Sequence, residues 1–397
     1  MILAGDYIPK KYRVDLGLLA GERILANLEG PILSERMPPQ ILKAGSHLFS
    51  SSLGCEHTDF ILSLANNHTM DYGVEGLEAT KQYLTKLGIP YCGAGDNICQ
   101  ARAPVIVEEN GRRIAILGCR EIQFGSAGRN KAGCANKGLW LFDTVQALKR
   151  TVDFIIVSCH AAFEHSPFPS PNLRGFYRHL VDAGVNVIHG HHSHIPQGWE
   201  MYHGGLILYG LGNFVVDPNV WAEKDNRWSM FAKIDFSKPQ FDFEIKTISI
   251  EPVDSGMIRL VQPDSGELKH QLDYMTVCNR ALENDDSCEA YWQEISMRLF
   301  DRFYGVPLRF PGMQKYRLTL RNRLRCLLDA LLDVSSALTG TKMVTRSSRQ
   351  RACAFCNSHQ CESHVDVIAT ASGVLLNEKP DMRTETTARD VSWLLGR

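Results

Sequence analysis

Residues 153–194 read DFIIVSCHAAFEHSPFPSPNLRGFYRHLVDAGVNVIHGHHSH, and their order of apolar and polar positions decides the fold class. Asp153 to Cys159 and Val185 to His189 are short apolar runs of the kind that form buried strands. Between them Leu173 to Ala183 places Phe176, Leu180 and Val181 on one helical face. A strand, a helix and a strand in succession predict an α/β layered domain.

The same alternation extends outward. Met1 to Ala4, Arg23 to Leu28, Asp59 to Ala65, Arg113 to Cys119 and Gly205 to Tyr209 read as further buried strands. Gly76 to Leu87 reads as a helix with Leu77, Tyr83, Leu84 and Leu87 inward. Beyond Asn213 the pattern shifts: Trp228 to Phe236 and Phe241 to Val253 alternate like an antiparallel pair closing the same domain. A domain over residues 1–252 and a mainly helical region with a linker over 253–397 are expected. In the second part, 254–288 is polar, Arg317 to Leu338 is a basic amphipathic helix, and Thr345 to Arg351 reads as an exposed linker.

Bulk properties exclude several classes. With 397 residues and 44% hydrophobic content the chain can bury a large core. Lys+Arg 43 against Asp+Glu 44 gives no basic excess of the kind that coats nucleic acid. No apolar run approaches the ~18 residues of a membrane-spanning helix, and MILAGDYIPKK lacks the layout of a secretory signal. Its 12 cysteines are scattered, which suits reduced thiols. The expected location is cytoplasmic, with peripheral membrane attachment allowed by the basic helix.

The chemistry-bearing residues follow strands, where open α/β sheets place their ligands. Asp6, Glu29, Asn67 and His68, His160, and the group His191, His192 and His194 each end a strand. One histidine after a strand is usually a structural residue; the recurrence points to a mixed oxygen and nitrogen site for a pair of divalent transition ions such as Mn, Zn or Fe. A carboxylate bridging two cations suits ester hydrolysis, with a neighbouring histidine serving the leaving oxygen.

The ordered motifs GD (5–6), NLEGP (27–31), SLANNHTMDYGVEG (63–76), GAG (93–95), VSCHAAFE (157–164), DAGVNVIHGHHSHIPQG (182–198) and YGLGNF (209–214) resemble those of the bacterial capsule-biosynthesis family, the CapA-type or poly-γ-glutamate synthesis proteins of the calcineurin-like metallophosphoesterase superfamily. The resemblance covers residues 1–252. It implies a four-layer metallophosphoesterase-like α/β sandwich, followed here by the helical extension. It implies metal ligands at Asp6, Glu29 (bridging), Asn67, His160, His192 and His194, with His191 able to replace one of the last pair, and His68 facing the substrate. The implied function is metal-dependent hydrolysis or transfer in making a capsule polymer, either anionic polysaccharide or poly-γ-glutamate. The implied partners are that polymer or its precursor and membrane-bound synthesis machinery. An assembly protein on a metallophosphatase shell and a soluble phosphodiesterase unrelated to capsule are the rivals.

Two departures stand out. The superfamily's Asp-x-His is here Asp6, Tyr7, Ile8, which removes a histidine ligand, and Trp-Gly-x-Glu is replaced by Ala161 to Glu164. Glu164, four residues after His160, either orients an imidazole in catalysis or is a solvent-facing acid on a loop. Asp71 is expected to orient the loop before the next helix, and Asn213 to line the site or cap a turn. Residues 121–137, glycine-rich and carrying Arg129, Lys131 and Lys137, suggest a cationic loop for an anionic chain. Cys353, Cys356, Cys361 and His364 could enclose zinc, but their tight spacing favours a helix start.

Overall fold

The computed structural model describes residues 1–41, 43, 46–56, 59–217, 227–254, 256–300 and 361–396. The strands are β1 (Ile2–Tyr7), β2 (Arg13–Asp15), β3 (Ile24–Leu28), β4 (Phe60–Ser63), β5 (Tyr91–Cys92), β6 (Ala94–Gly95), β7 (Val105–Glu109), β8 (Arg112–Arg120) and β9 (Gly133–Cys134). They continue as β10 (Phe154–His160), β11 (Val187–His191), β12 (Pro196–Tyr202), β13 (Gly205–Leu211), β14 (Asn213–Val215), β15 (Trp228–Asp235), β16 (Asp242–Asp254) and β17 (Met257–Val261). The helices of the described residues are α1 (Gly73–Lys86), α2 (Ile98–Ala101), α3 (Trp140–Leu148), α4 (Pro171–Ala183), α5 (Ser265–Ala281), α6 (Asp285–Phe300), α7 (Glu362–Leu375) and α8 (Glu385–Leu394).

Two mixed sheets dominate. One runs β2-β17-β16-β15-β1-β3-β4-β5 with β14 beside β1, the other β12-β13-β11-β10-β8-β7. Three clusters of buried side chains divide the molecule into layers. Leu3, Leu25 and Ile61 of the first sheet meet Ile116, Ile156 and Val187 of the second between the sheets. Leu77 and Leu84 of α1 cover the outer face of the first sheet, and Leu141, Val145, Tyr177 and Leu180 of α3 and α4 cover that of the second. The result is the expected four-layer α/β sandwich. No helix among the described residues is long and apolar enough to cross a membrane.

The expected closing pair is present, with β15 and β16 antiparallel from Trp228 opposite Ser249 to Asp235 opposite Asp242. The polar stretch 254–288 also contains β17 and α5. Buried residues of α5 to α8, among them Tyr274, Trp292, Ile295, Val367 and Val391, belong to the same apolar cluster as the inner sheet faces. The expected basic helix 317–338, the linker 345–351, Cys353 and Cys356 lie outside the described residues. Cys361 is the residue before α7, and its side chain makes no capping hydrogen bond.

The period of two explains how these strands deliver polar groups to one place. In β3, Ile24, Ala26 and Leu28 face α1 while Leu25 faces the other sheet, so Asn27 and then Glu29 continue that inner row. In β10, Phe154 and Ile156 face inward and Ile155, Val157 and Cys159 outward, which sends Ser158 and His160 inward. β11 does the same with Val187, His189 and His191. Each inner row is apolar at its start and polar at its carboxyl end.

Candidate metal centre

Asp6 reaches this row through an irregularity. Ile2 and Ala4 face α1, so strict alternation would turn Asp6 the same way. The pairing of β1 with β3 shifts register between Leu3 and Asp6, and such a bulge re-aims the side chains beyond it. Asp6 consequently meets the histidines of β11. Gly5 makes this possible: a Cβ there would stand 1.9 Å from the Gly212 carbonyl oxygen.

The inner rows converge on Glu29. His160 Nε2 and His68 Nε2 are each 3.8 Å from Glu29 Oε1, and His194 Nε2 is 3.7 Å from it. Asp6 Oδ2 lies 3.4 Å from His194 Nδ1, and Asp6 Oδ1 lies 3.2 Å from His191 Nδ1. Asn67 Oδ1 is 3.1 Å from His160 Nε2. Among the described residues, three groups have ligand atoms all within 4.8 Å of one another: Asp6, Glu29 and His194; Glu29, His160 and His192; and Glu164, His192 and His194. Glu29 therefore belongs to two groups, as a bridging carboxylate must.

His191 and His192 occupy two different places. His192 sits with Glu29 and His160, while His191 stands beside Asp6 and is 3.2 Å from His189 Nδ1 through its other nitrogen. An imidazole thus adjoins Asp6 even though position 8 is the buried Ile8. His192 (φ 90°) and His194 (φ 58°) both adopt the left-handed backbone region that non-glycine residues avoid. Such conformations cost about 1–3 kcal/mol each and persist where the surroundings demand them.

The group fits cations. Asp6 Oδ2, both Glu29 oxygens, His191 Nδ1 and His192 Nδ1 are buried without a hydrogen-bond partner, an arrangement that is costly unless the atoms have another use. Their charge states agree. Burial pushes Glu29 up to about 8, with His194 opposing. His194 resists the effect of its own burial because of the Glu29 and Asp6 charges, and is raised to about 10. Burial acts to raise Asp6, but the His191 and His194 imidazoles outweigh it and hold Asp6 well below the carboxylate range. In the absence of ions these groups share protons that cations would displace.

His68 lies at the edge of the cluster. Its Nδ1 is 2.7 Å from Asp71 Oδ2 and 2.8 Å from Lys43 Nζ, and Lys43 also contacts the other Asp71 oxygen at 2.5 Å. Asp71 is fully buried and accepts the Leu48 N–H as well, so it orients both His68 and the preceding loop. Burial, with the Lys43 charge, lowers His68 to about 4. This gives an expectation for metal-free protein. Unfolded His68 titrates near 6.5, so the folded state binds fewer protons between pH 4 and 6.5, and stability falls as pH drops through that window. The fall from 6.5 to about 4 corresponds to about 3 kcal/mol. Chelator-treated His68→Gln should therefore lose less melting temperature than wild type between pH 7 and pH 4.5; parallel curves would contradict this.

The remaining expected residues fall around the cluster. Glu164 is exposed at its solvent side, next to His192 and His194. Asn213 is buried, with Oδ1 3.0 Å from His194 Nδ1. Arg129 and Lys131 are exposed in the turn where Gly128 bridges Lys131, and that segment is held at its base by the β6–β9 pair. Lys137 pairs with Glu362 at 2.9 Å and lies 4.8 Å over the Phe176 ring. Sequence reasoning did not single out Lys43, Glu121 or Asn27. Asn27 donates to Asp6 Oδ1 at 2.8 Å and is 3.1 Å from His160 Nδ1. Its place two residues before Glu29 on one strand face was the available signal.

Residues 18–218 match the family described as bacterial capsule synthesis protein PGA_cap. The capsule biosynthesis protein CapA of Bacillus anthracis is 34% identical over 173 residues, covering 42% of this chain and 42% of that protein. The PGA biosynthesis protein CapA of Bacillus subtilis (strain 168) is 32% identical over 170 residues, covering 42% and 45%. The chain thus spans less than half the length of these curated relatives. Among solved structures, the NAD nucleotidase of Haemophilus influenzae aligns over 57% of this chain and 46% of its own at 14% identity, with a TM-score of 0.31.

Proposed function

This chain belongs to the bacterial capsule synthesis protein PGA_cap family, and from that membership we propose that it is a metal-dependent hydrolase or transferase acting on a capsule polymer, anionic polysaccharide or poly-γ-glutamate, or on its precursor. The observation carrying this reading is the convergence of Asp6, Glu29 and the strand-end imidazoles, with buried ligand atoms that have no other partner. Asp6, Glu29, His194 and His191 would hold one divalent ion, and Glu29, Asn67, His160 and His192 a second. Ions held there supply Lewis-acid polarisation of the scissile group and neutralise its developing charge.

The chain's own residues do the rest. The Asp71 carboxylate accepts the His68 Nδ1–H, which leaves Nε2, the nitrogen turned toward Glu29, to exchange a proton with a leaving oxygen. Asp71 fixes the ring, and Asn213 holds His194 from beneath. Glu164 borders the cluster on the side from which a substrate arrives, and Arg129 and Lys131 offer positive charge to an anionic chain. Synthesis machinery at the membrane is the partner this role requires.

The test is elemental analysis of protein purified without chelator, then turnover of a generic phosphodiester. Bound transition metal with chelator-reversible turnover is expected. Bound metal without turnover on phosphodiester, polymer or precursor would favour the assembly role, and no metal after reconstitution with Mn or Zn would sink the reading.

A further inference from the structure

Helix α7 begins 242 residues after the β8 strand ends, yet its first turn rests against that end. Glu121 follows β8 and is buried. Its carboxylate accepts the Ser363 backbone N–H at 3.1 Å on one oxygen and the Ser363 hydroxyl at 3.1 Å on the other. Gln123 donates to it as well. The first N–H groups of a helix need acceptors, and Cys361 at the start of α7 offers none from its side chain. Glu121 fills that need from another part of the fold, at the helix end that favours negative charge.

The same carboxylate faces the metal centre. Glu121 Oε1 is 3.5 Å from His192 Nε2, and His192 Nδ1 is the nitrogen buried without a hydrogen-bond partner. One ring nitrogen turned to a carboxylate and the other left open is how proteins set an imidazole for a cation. Further contacts hold α7 at this place: Glu362 with Lys137 at 2.9 Å, Asp366 with Ser170 and Asn172 at 2.7 Å each, and the His364 ring 4.8 Å from that of Phe163.

We infer that Glu121 is a positioning residue for His192 and that Ser363, at the start of α7, holds Glu121 in place, so the carboxy-terminal helix sets the affinity of the ion site formed by Glu29, His160 and His192. This rests on the metal-binding reading above. It assigns to α7 a part in the site that lies outside residues 18–218 of the family match.

The experiment is titration of the metal-free full chain with Zn²⁺ against a chromophoric chelator, alongside melting of the metal-free protein. Glu121→Gln keeps an acceptor for the α7 backbone but loses the charge that orients His192. It should weaken one of the two Zn²⁺ steps by about 10–100-fold with little change in metal-free melting temperature. Ser363→Ala should move the same step in the same direction by less, and it decides the matter if Glu121→Gln does not fold. Asp366→Asn loosens α7 at a contact away from Glu121 and should leave both steps unchanged. Equal Zn²⁺ affinity in wild type, Glu121→Gln and Ser363→Ala overturns the inference while leaving the metal centre standing. An Asp366→Asn loss equal to that of Glu121→Gln also overturns it, because general loosening would then be the cause. Wild type that binds no Zn²⁺ removes the metal-binding reading and this inference with it.

Discussion

Glu29→Gln is expected to lose both ions in one substitution and with them the stabilisation they confer. Glu29 is shared between the Asp6–His194 group and the His160–His192 group, so no ligand left behind can bridge. The replacement is nearly isosteric, and the carboxylate it removes is buried with both oxygens lacking hydrogen bonds. Burial already pushes Glu29 up to about 8, so at neutral pH the metal-free acid is largely protonated, and metal-free Glu29→Gln should melt close to metal-free wild type. The difference appears on adding metal. Ligand at ~1,000 times its dissociation constant stabilises a folded protein by about 4 kcal/mol, and wild type should show that rise in melting temperature on adding Mn or Zn. Glu29→Gln should show almost none and should carry under a tenth of the wild-type metal by elemental analysis. A full rise in the variant would remove Glu29 from the bridging position.

His68→Ala is expected to separate rate from metal. The His68 ring is held by Asp71 and Lys43 through Nδ1, and its Nε2 stands 3.8 Å from Glu29. Asn67, one residue earlier, instead places its amide oxygen beside His160. His68→Ala should therefore keep its metal and lose turnover by about 10²–10⁴-fold, the usual worth of a positioned acid or base. Asn67→Ala should lose metal from the His160 group and lose rate as a consequence. The comparison is made at saturating metal, with content measured on the same samples. Metal loss in His68→Ala equal to that in Asn67→Ala would make His68 a ligand or a structural residue.

Much of this site was legible in the sequence because strand periodicity is local. Once β3 and β10 are recognised as buried strands, the inward direction of Glu29 and His160 follows from alternation, and the positions after the last apolar residue become candidate ligands. Asp71 was expected to orient the loop before the next helix, but its contacts with Lys43 and His68 were not legible. Lys43 lies 25 residues before His68 in the chain, with no periodic pattern linking the two. The cationic loop was legible only as composition. Lys137, grouped there with Arg129 and Lys131, is engaged by Glu362 on α7, more than 220 residues away.

The sequence by itself determined the α/β class, the strand ends where chemistry gathers, and a donor set of carboxylate, amide and imidazole, because side-chain type and a period of two are properties of short stretches. The tertiary structure alone decided which of these groups meet. The β1 register shift turns Asp6 inward, and left-handed backbone at His192 and His194 sends His192 to the His160 group and leaves His191 to Asp6. It also decided that α7 reaches the centre through Glu121. These outcomes depend on how two sheets pack face to face and on contacts across hundreds of residues, where the geometry is set by the whole core rather than by any segment of the chain.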